Sequence, residues 1–237
     1  MEKACLIIPC YNESARLDMA AFAAWQGKIR FIFVNDGSRD NTLEILKQHE
    51  DKSHIAVVDL KKNLGKAEAV RQGMLHAVNM PDFHDFDWYG YWDADMATPL
   101  SEIENFLLYR KDFAPKADVI LGSRVSRLGS SIARSKLRYL TGRIFMNIFR
   151  ALFKIKAYDT QCGAKLFRPE TLKAAFEKPF ISRWIFDLEV IMRLGDFKIA
   201  EYPLQKWKDI KGSKISSFGV MAGIIGDIIK LYFSRFR

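Results

Sequence analysis

Five short apolar runs mark the first half of the chain, at residues 4–10, 29–36, 54–60, 88–93 and 117–122. Most end in turn-forming or charged residues, the pattern of buried strands. Between them, residues 13–25, 40–50, 67–78 and 99–109 carry helical patterns. Asp40 is the expected N-cap of the second, ahead of Leu43, Ile45 and Leu46. Pro81 breaks the third, and Pro99 suits the first turn of the fourth. Strands alternating with helices predict an α/β domain around a mostly parallel sheet. No repeat or low-complexity linker interrupts it.

Beyond Arg124 the texture changes. Arg127, Arg134, Lys136, Arg138, Arg143 and Arg150 alternate with Leu137, Leu140, Ile144, Phe145, Ile148 and Phe149. This predicts a basic amphipathic helix. Residues 164–167 and 199–204 read as strands, 184–194 as a helix, and 218–236 as a last, very apolar helix. In that helix Asp227, Lys230, Ser234 and Arg237 share one face by spacing. Its apolar arc is wide enough to need the core, a second subunit or a bilayer interface for cover. The expected organisation is one domain over residues 1–215 and a C-terminal amphipathic helix over 216–237.

Composition narrows the class. The 237 residues are 49% hydrophobic and 27% charged, which excludes wholesale disorder and a disulfide miniature. A formal charge of +9 favours anionic partners: nucleotide phosphates, nucleic acid or acidic lipid. Cys5, Cys10 and Cys162 are the three cysteines and form no CxxC, so reduced thiols in a cytoplasmic protein are expected. The apolar start is too short for a signal segment, and no run of about 18 apolar residues predicts a membrane span. His49, His54, His76 and His84 show no ligand spacing; His49 and His54 fall at an element boundary. GxGxxG, Walker A and GxSxG patterns are absent, as are the common nucleic-acid-binding motifs.

Ligands of an open parallel sheet sit beyond the carboxyl ends of its strands. Those ends carry Tyr11, Asn12 and Glu13; Asn35, Asp36, Gly37 and Ser38; Asn63, Leu64, Gly65 and Lys66; Asp93, Ala94 and Asp95; and Ser123 with Arg124. Any one set reads as turn residues. Five sets on one rim read as a site. Asp93 and Asp95 repel each other unless a cation intervenes. Hard oxygen ligands suit Mg²⁺ or Mn²⁺, which take one or two carboxylates plus substrate phosphates.

Taken in order, Ile-Pro-Cys-Tyr-Asn-Glu (8–13), Val-Asn-Asp-Gly-Ser-Arg-Asp-Asn-Thr (34–42), Asn-Leu-Gly-Lys (63–66), Asp-Ala-Asp (93–95) and Gly-Ser-Arg (122–124) resemble the GT-A-fold, family 2 glycosyltransferases. Asp-Thr-Gln-Cys-Gly-Ala-Lys-Leu-Phe (159–167) and Arg-Trp-Ile-Phe-Asp-Leu-Glu (183–189) look like the dolichyl-phosphate (polyprenyl-phosphate) glucosyltransferase branch. The resemblance covers about residues 4–215. It implies that Pro9, Tyr11 and Glu13 line a nucleoside pocket and that Asp36 contacts the base. Gly65 and Lys66 would lie near base and diphosphate. Asp93 would meet ribose or metal, Asp95 would bind the metal, and Arg124 would face phosphate. Pro9 also fits a plain strand end, and Cys162 with Gly163 a tight turn. Glu189 fits either an acceptor-orienting role or a surface helix position. Two departures stand out. Ala97 replaces a glutamine that some relatives use as a further metal ligand, and Ala164 replaces the usual phenylalanine. Relatives often carry membrane spans, so membrane contact here is expected to be peripheral.

The expectation is an inverting transferase that moves a hexose, glucose by preference, from UDP-glucose to a polyprenyl phosphate. A lipid phosphate is already anionic and needs positioning, for which Arg127, Arg134, Lys136 and Arg138 are suited. A saccharide hydroxyl, the alternative acceptor in polysaccharide or lipopolysaccharide synthesis, needs a base. Asp159, Asp187 and Glu189 are the candidates. A non-catalytic nucleotide-sugar sensor or nucleic-acid module is the rival of another class. Expected partners are the donor, the acceptor and a membrane surface at its cytoplasmic face, without nucleic acid. A homodimer stays open.

Overall fold

β1 (Ala4–Cys10) and β2 (Ile29–Asp36) span the predicted runs, and nearly every residue of both is buried. Alternate β1 side chains feed opposite sides of the sheet: Leu6 and Ile8 one cluster, Cys5 and Ile7 another. That is why these strands read as continuous rather than alternating apolar runs. The computed structural model describes residues 2–25, 27–51, 53–210 and 218–234.

In chain order the remaining elements are α1 (Met19–Ala23), α2 (Thr42–Gln48), β3 (Ile55–Leu60), α3 (Lys66–Val78), β4 (Trp88–Trp92), α4 (Glu102–Phe113), β5 (Val119–Ser123), β6 (Ser131–Ala133), α5 (Lys136–Phe153), β7 (Ala164–Phe167), α6 (Leu172–Phe176), α7 (Phe186–Arg193), β8 (Ile199–Pro203), β9 (Lys206–Lys208) and α8 (Phe218–Ser234). Seven strands form one sheet in the order β3-β2-β1-β4-β7-β5-β8. β7 runs antiparallel between β4 and β5; the other pairings are parallel. The α/β, mostly parallel expectation is met. One cluster lies under α1 and α4 with Phe22, Trp92 and Phe106, and the other under α3, α6 and α7 with Val70, Met74, Phe176 and Val190.

Several boundaries differ from the sequence reading. The helix expected over 13–25 shrinks to α1, because Glu13 O receives Arg16 N and Leu17 N in a separate turn. Asp18 then caps the helix through Ala21 N at 3.0 Å. Asn41 rather than Asp40 is the N-cap of α2, although Asp40 still accepts Thr42 N at 3.1 Å. α4 begins at Glu102 because residues 99–101 form a turn, with Glu102 N on Pro99 O. The three-residue strands β6 and β9 pair only with each other and carry no readable period.

α5 is the expected basic segment, but Arg143 and Arg150 turn inward. Arg143 donates to Tyr158 O at 2.9 Å and lies 3.9 Å from that ring's centre; Arg150 donates to Ala157 O. These guanidinium groups satisfy carbonyls of an irregular segment. Met146, Phe149 and Phe153 pack on Ile185, Leu188, Ile224, Ile228 and Leu231, joining α5, α7 and α8 in a third cluster. Asp227 shares a face with Lys230, 3.9 Å away, as the spacing predicts, but it is largely buried because its other oxygen accepts Ser182 Oγ at 2.7 Å. Leu140, Ile144 and Ile148 of α5 and Ile225, Ile229 and Phe233 of α8 remain exposed. Arg235 and Arg237, residues 216 and 217, and the side chain of Arg138 lie outside the described residues. Among the described residues no helix is long and apolar enough to cross a membrane.

Candidate active site

The loops beyond β1 and β2 are tied into one floor. Asn12 N donates to Ser38 Oγ at 3.1 Å, Arg39 N to Asn12 Oδ1 at 2.8 Å, and Glu13 N to Thr42 Oγ1 at 2.8 Å. Pro9 sits inside β1 in register with Val34, and Tyr11 follows the strand, half-buried. The buried Asp36 carboxylate accepts Leu64 N at 2.7 Å and Gly65 N at 2.8 Å. Burial raises its pKa above the ordinary value, and those two amides oppose the shift. The loop after β3 is thus held onto β2 by the aspartate expected near the base.

Gly65 is the N-cap of α3 with φ +95° and ψ 158°. A β-carbon there would stand 2.7 Å from Arg183 Nε. Arg183 Nη2 donates to Asn63 Oδ1 at 3.1 Å. Arg183 lies in the 183–189 motif without an expected role; its reach across 120 residues to Asn63 has no local signal.

One residue later the Lys66 ammonium forms an ion pair with Asp93. Desolvation opposes the charge on Lys66, but Asp93, Asp187 and Asp95 more than offset it and raise its proton affinity. On the other side of Asp93, a β-carbon on Gly163 would lie 1.9 Å from Oδ2. Gly163 is therefore required by close approach, a stronger role than turn geometry. Asp95 accepts Ala97 N at 3.0 Å. Burial, then the charge of Asp93, raise Asp95 above the ordinary carboxylate range. Glu13 is likewise raised by burial, against its pair with Arg16, and it feels Asp95 and Asp93.

The structure thus brings Glu13, Lys66, Asp93 and Asp95 into one charged group. Two mutually repelling hard carboxylates suit Mg²⁺ or Mn²⁺, and they are the protein atoms fit to hold it. The Ala97 side chain offers no ligand. No group of three or more His, Cys, Asp or Glu side chains among the described residues is placed for a metal. Ligand oxygens would have to complete the shell.

Arg124, at the end of β5, is already engaged. Nε donates to Asp159 Oδ2 at 2.6 Å and Nη2 to Oδ1 at 2.8 Å, and the guanidinium lies 5.3 Å from the Trp207 ring centre. Burial works against the Asp159 charge, but Arg124 prevails and holds its carboxyl well below the usual range. Glu201 fixes the segment by accepting Tyr158 N and Asp159 N, both at 2.7 Å. Arg134 approaches Gly142 on α5 and adds its charge to Asp159. Arg127 is exposed, and its Nη2 donates to Pro203 O at 3.2 Å. Glu189 is buried in structural work, accepting Ile181 N at 2.9 Å and pairing with Arg193 at 2.6 Å.

Comparison with known proteins bears on this geometry. Residues 5–176 match the sequence model of glycosyl transferase family 2. A dolichyl-phosphate beta-glucosyltransferase of Trichomonas vaginalis is 32% identical over 245 residues, covering 96% of this chain and 70% of that protein. The dolichyl-phosphate beta-glucosyltransferase of Homo sapiens is 31% identical over 235 residues, covering 90% and 69%. Glucosyl-3-phosphoglycerate synthase of Mycobacterium tuberculosis, solved with Mn²⁺, UDP and glucosyl-3-phosphoglycerate, aligns with a TM-score of 0.66. That alignment has 17% identity and covers 95% of this chain and 80% of that one, a likeness of fold.

Proposed function

The chain belongs to glycosyl transferase family 2, and on that premise we propose that it moves a glucosyl unit from UDP-glucose to a polyprenyl phosphate with inversion. The dolichyl-phosphate beta-glucosyltransferase relatives support the acceptor class. In this reading residues 1–215 are the transferase domain and 216–237 its C-terminal helix.

One observation carries the choice of acceptor. A hydroxyl acceptor needs a carboxylate free to take its proton. Asp159 is committed to Arg124, Asp187 to Lys165, and Glu189 to Arg193 and backbone amides. An anionic phosphate needs no such base. Its oxygen attacks the anomeric carbon, the bond from that carbon to the diphosphate breaks, and UDP leaves with the electron pair. Arg127 and Arg134 orient the acceptor phosphate, with Lys136 contributing positive potential, while Arg124, neutralised by Asp159, shapes the rim beside them. Lys66 faces the diphosphate beside Asp93. Pro9, Tyr11, Glu13, Asp36 and Gly65 shape the nucleoside end. A Mg²⁺ or Mn²⁺ held by Asp93 and Asp95 would supply charge that stabilises the leaving diphosphate. The fold relative solved with Mn²⁺ and UDP supports that choice.

A lipid acceptor also asks for a membrane surface. Between α5 and α8 runs a 310 Å³ groove lined by Ile144, Ile148, Ile225 and Ile229 among others. α5 holds no acidic residue, and the one acid of α8, Asp227, faces inward. An apolar face whose helices present no outward acid supports peripheral contact with an anionic bilayer, which this reading puts at the cytoplasmic side.

The test is a donor and acceptor screen with purified protein and Mn²⁺, read by product mass. Glucosyl-phosphoprenol from UDP-glucose and undecaprenyl phosphate is expected. Transfer to an oligosaccharide hydroxyl, with none to lipid phosphate, would replace this reading with the other acceptor class.

A further inference from the structure

Beneath the site lies a charge that the transfer reaction does not use. Lys165, in the middle of β7, is 0% exposed. It stands in register with Tyr91 of β4 and Leu121 of β5. An ammonium group persists in such a place where partners replace water. Its Nζ donates to Asp187 Oδ1 and to Cys162 O, each at 2.5 Å, and lies 5.1 Å from the Tyr91 ring centre. Asp187 is also buried and accepts the Tyr91 hydroxyl at 2.5 Å.

This network meets the site at two places. The Cys162 carbonyl belongs to the peptide that leads into Gly163, whose α-carbon packs against Asp93. Tyr91 precedes Asp93 by two residues on the other segment. Both stretches of chain that surround the Asp93 carboxylate are therefore fastened to one buried pair. The charge of Asp187 also reaches Lys66, the ion-pair partner of Asp93. From the core outward the charges alternate as Lys165, Asp187, Lys66 and Asp93.

We propose that Lys165 and Asp187 are positioning residues of the donor site: they orient the Cys162–Gly163 peptide and Tyr91, and through them Asp93, without touching substrate. Stability alone does not call for charge here, since apolar side chains commonly replace a buried ion pair without loss. An apolar side chain cannot fix the direction of a carbonyl; a charge-assisted hydrogen bond does. The inference rests on the reading above that Asp93 belongs to the nucleotide and metal site.

The decisive variant is K165M/D187L, which removes the pair and leaves no lone buried charge. Its melting temperature, its affinity for UDP with Mn²⁺ by calorimetry, and its kcat and KM with UDP-glucose are measured against wild type. Melting close to wild type with affinity weakened about tenfold or more is expected, the size of a misplaced binding group. A folded double variant with wild-type affinity overturns the proposal. Should the double variant not fold, D187N decides. It keeps the side-chain shape, and unchanged UDP–Mn²⁺ affinity in a folded D187N protein overturns the proposal equally. Failure of the wild type to bind UDP with Mn²⁺ would refute the donor reading instead. The positioning claim is then read by hydrogen exchange at the amides of residues 162–164, expected to be about tenfold faster in a folded variant. Unchanged exchange there rejects it.

Discussion

Arg124 grips Asp159 through two parallel hydrogen bonds of 2.6 and 2.8 Å, so the arginine at the end of β5 is already paired before any phosphate arrives. Arg127, three residues on, is exposed and makes one side-chain contact to a carbonyl. The two should separate in experiment. R124A leaves a buried carboxylate without its partner, at a cost of about 3–5 kcal/mol, visible in urea denaturation. R127A should melt like wild type and lose about tenfold in transfer to lipid phosphate, the worth of one charge-assisted bond. An equal loss of UDP affinity in R127A would put that arginine on the diphosphate instead.

Gly163 offers a cleaner probe of the carboxylate. The β-carbon of G163A would collide with Asp93 Oδ2, the movable end of a side chain rather than backbone. The fold should therefore survive while Asp93 is displaced. Misplacement on this scale costs about a hundredfold in rate. Circular dichroism and a transfer assay check it; normal turnover in G163A would remove Asp93 from the machinery.

Asp95 makes a pH-dependent prediction. Its folded pKa is raised, by burial first and by Asp93 second. The folded protein then binds more protons than the unfolded chain in the window between the ordinary and the raised values, and stability falls as pH rises through that window. The ionised carboxylate is thus a standing cost of the metal-free site at neutral pH. D95N should melt at or above wild type at pH 7 without metal, and the difference should shrink at acid pH as wild-type Asp95 protonates. The same variant should lose Mn²⁺-dependent UDP binding, because a neutral amide is a poor ligand for a hard cation. Calorimetry with and without Mn²⁺ reads both effects.

At Gly65 two penalties can be told apart. The backbone, at φ +95° and ψ 158°, occupies a region that side chains rarely tolerate, at about 1–3 kcal/mol. A methyl group would also press on Arg183. G65A should be destabilised, and adding R183A should relieve the collision without recovering the strain. Full recovery in the double variant would assign the whole effect to Arg183.

The α5–α8 face is best tested by point changes. Deleting α8 would uncover Met146, Phe149 and Leu188, which pack against it, so loss of function there would be ambiguous. I144E and I229E lie at positions 52% and 53% exposed and should leave melting nearly unchanged. Together they should reduce co-sedimentation with anionic vesicles, while transfer to a short, water-soluble prenyl phosphate persists. Undiminished vesicle binding would assign the membrane contact to another surface.

Much of this architecture is legible in one dimension. Runs buried on both faces declare β1 and β2 residue for residue, because a central parallel strand keeps an apolar run of this length without alternation, and the turn residues and helical patterns between the runs fit strands rather than buried helices. The polar groups clustered at five strand ends, with Asp93 and Asp95 among them, announce a site because chain direction in such a sheet sends those ends to one rim. Partnership is what the sequence leaves undecided. The antiparallel direction of β7, the bond from Arg124 to Asp159, the reach of Arg183 to Asn63, the burial of Lys165 against Asp187, and the inward turn of Asp227 all join segments remote in the chain. A charged side chain reads alike whether it faces solvent, substrate or a buried counter-ion. Hydrophobic periodicity is local and survives in the sequence, whereas the identity of a charge's neighbour is set by packing, and only the tertiary structure decides it.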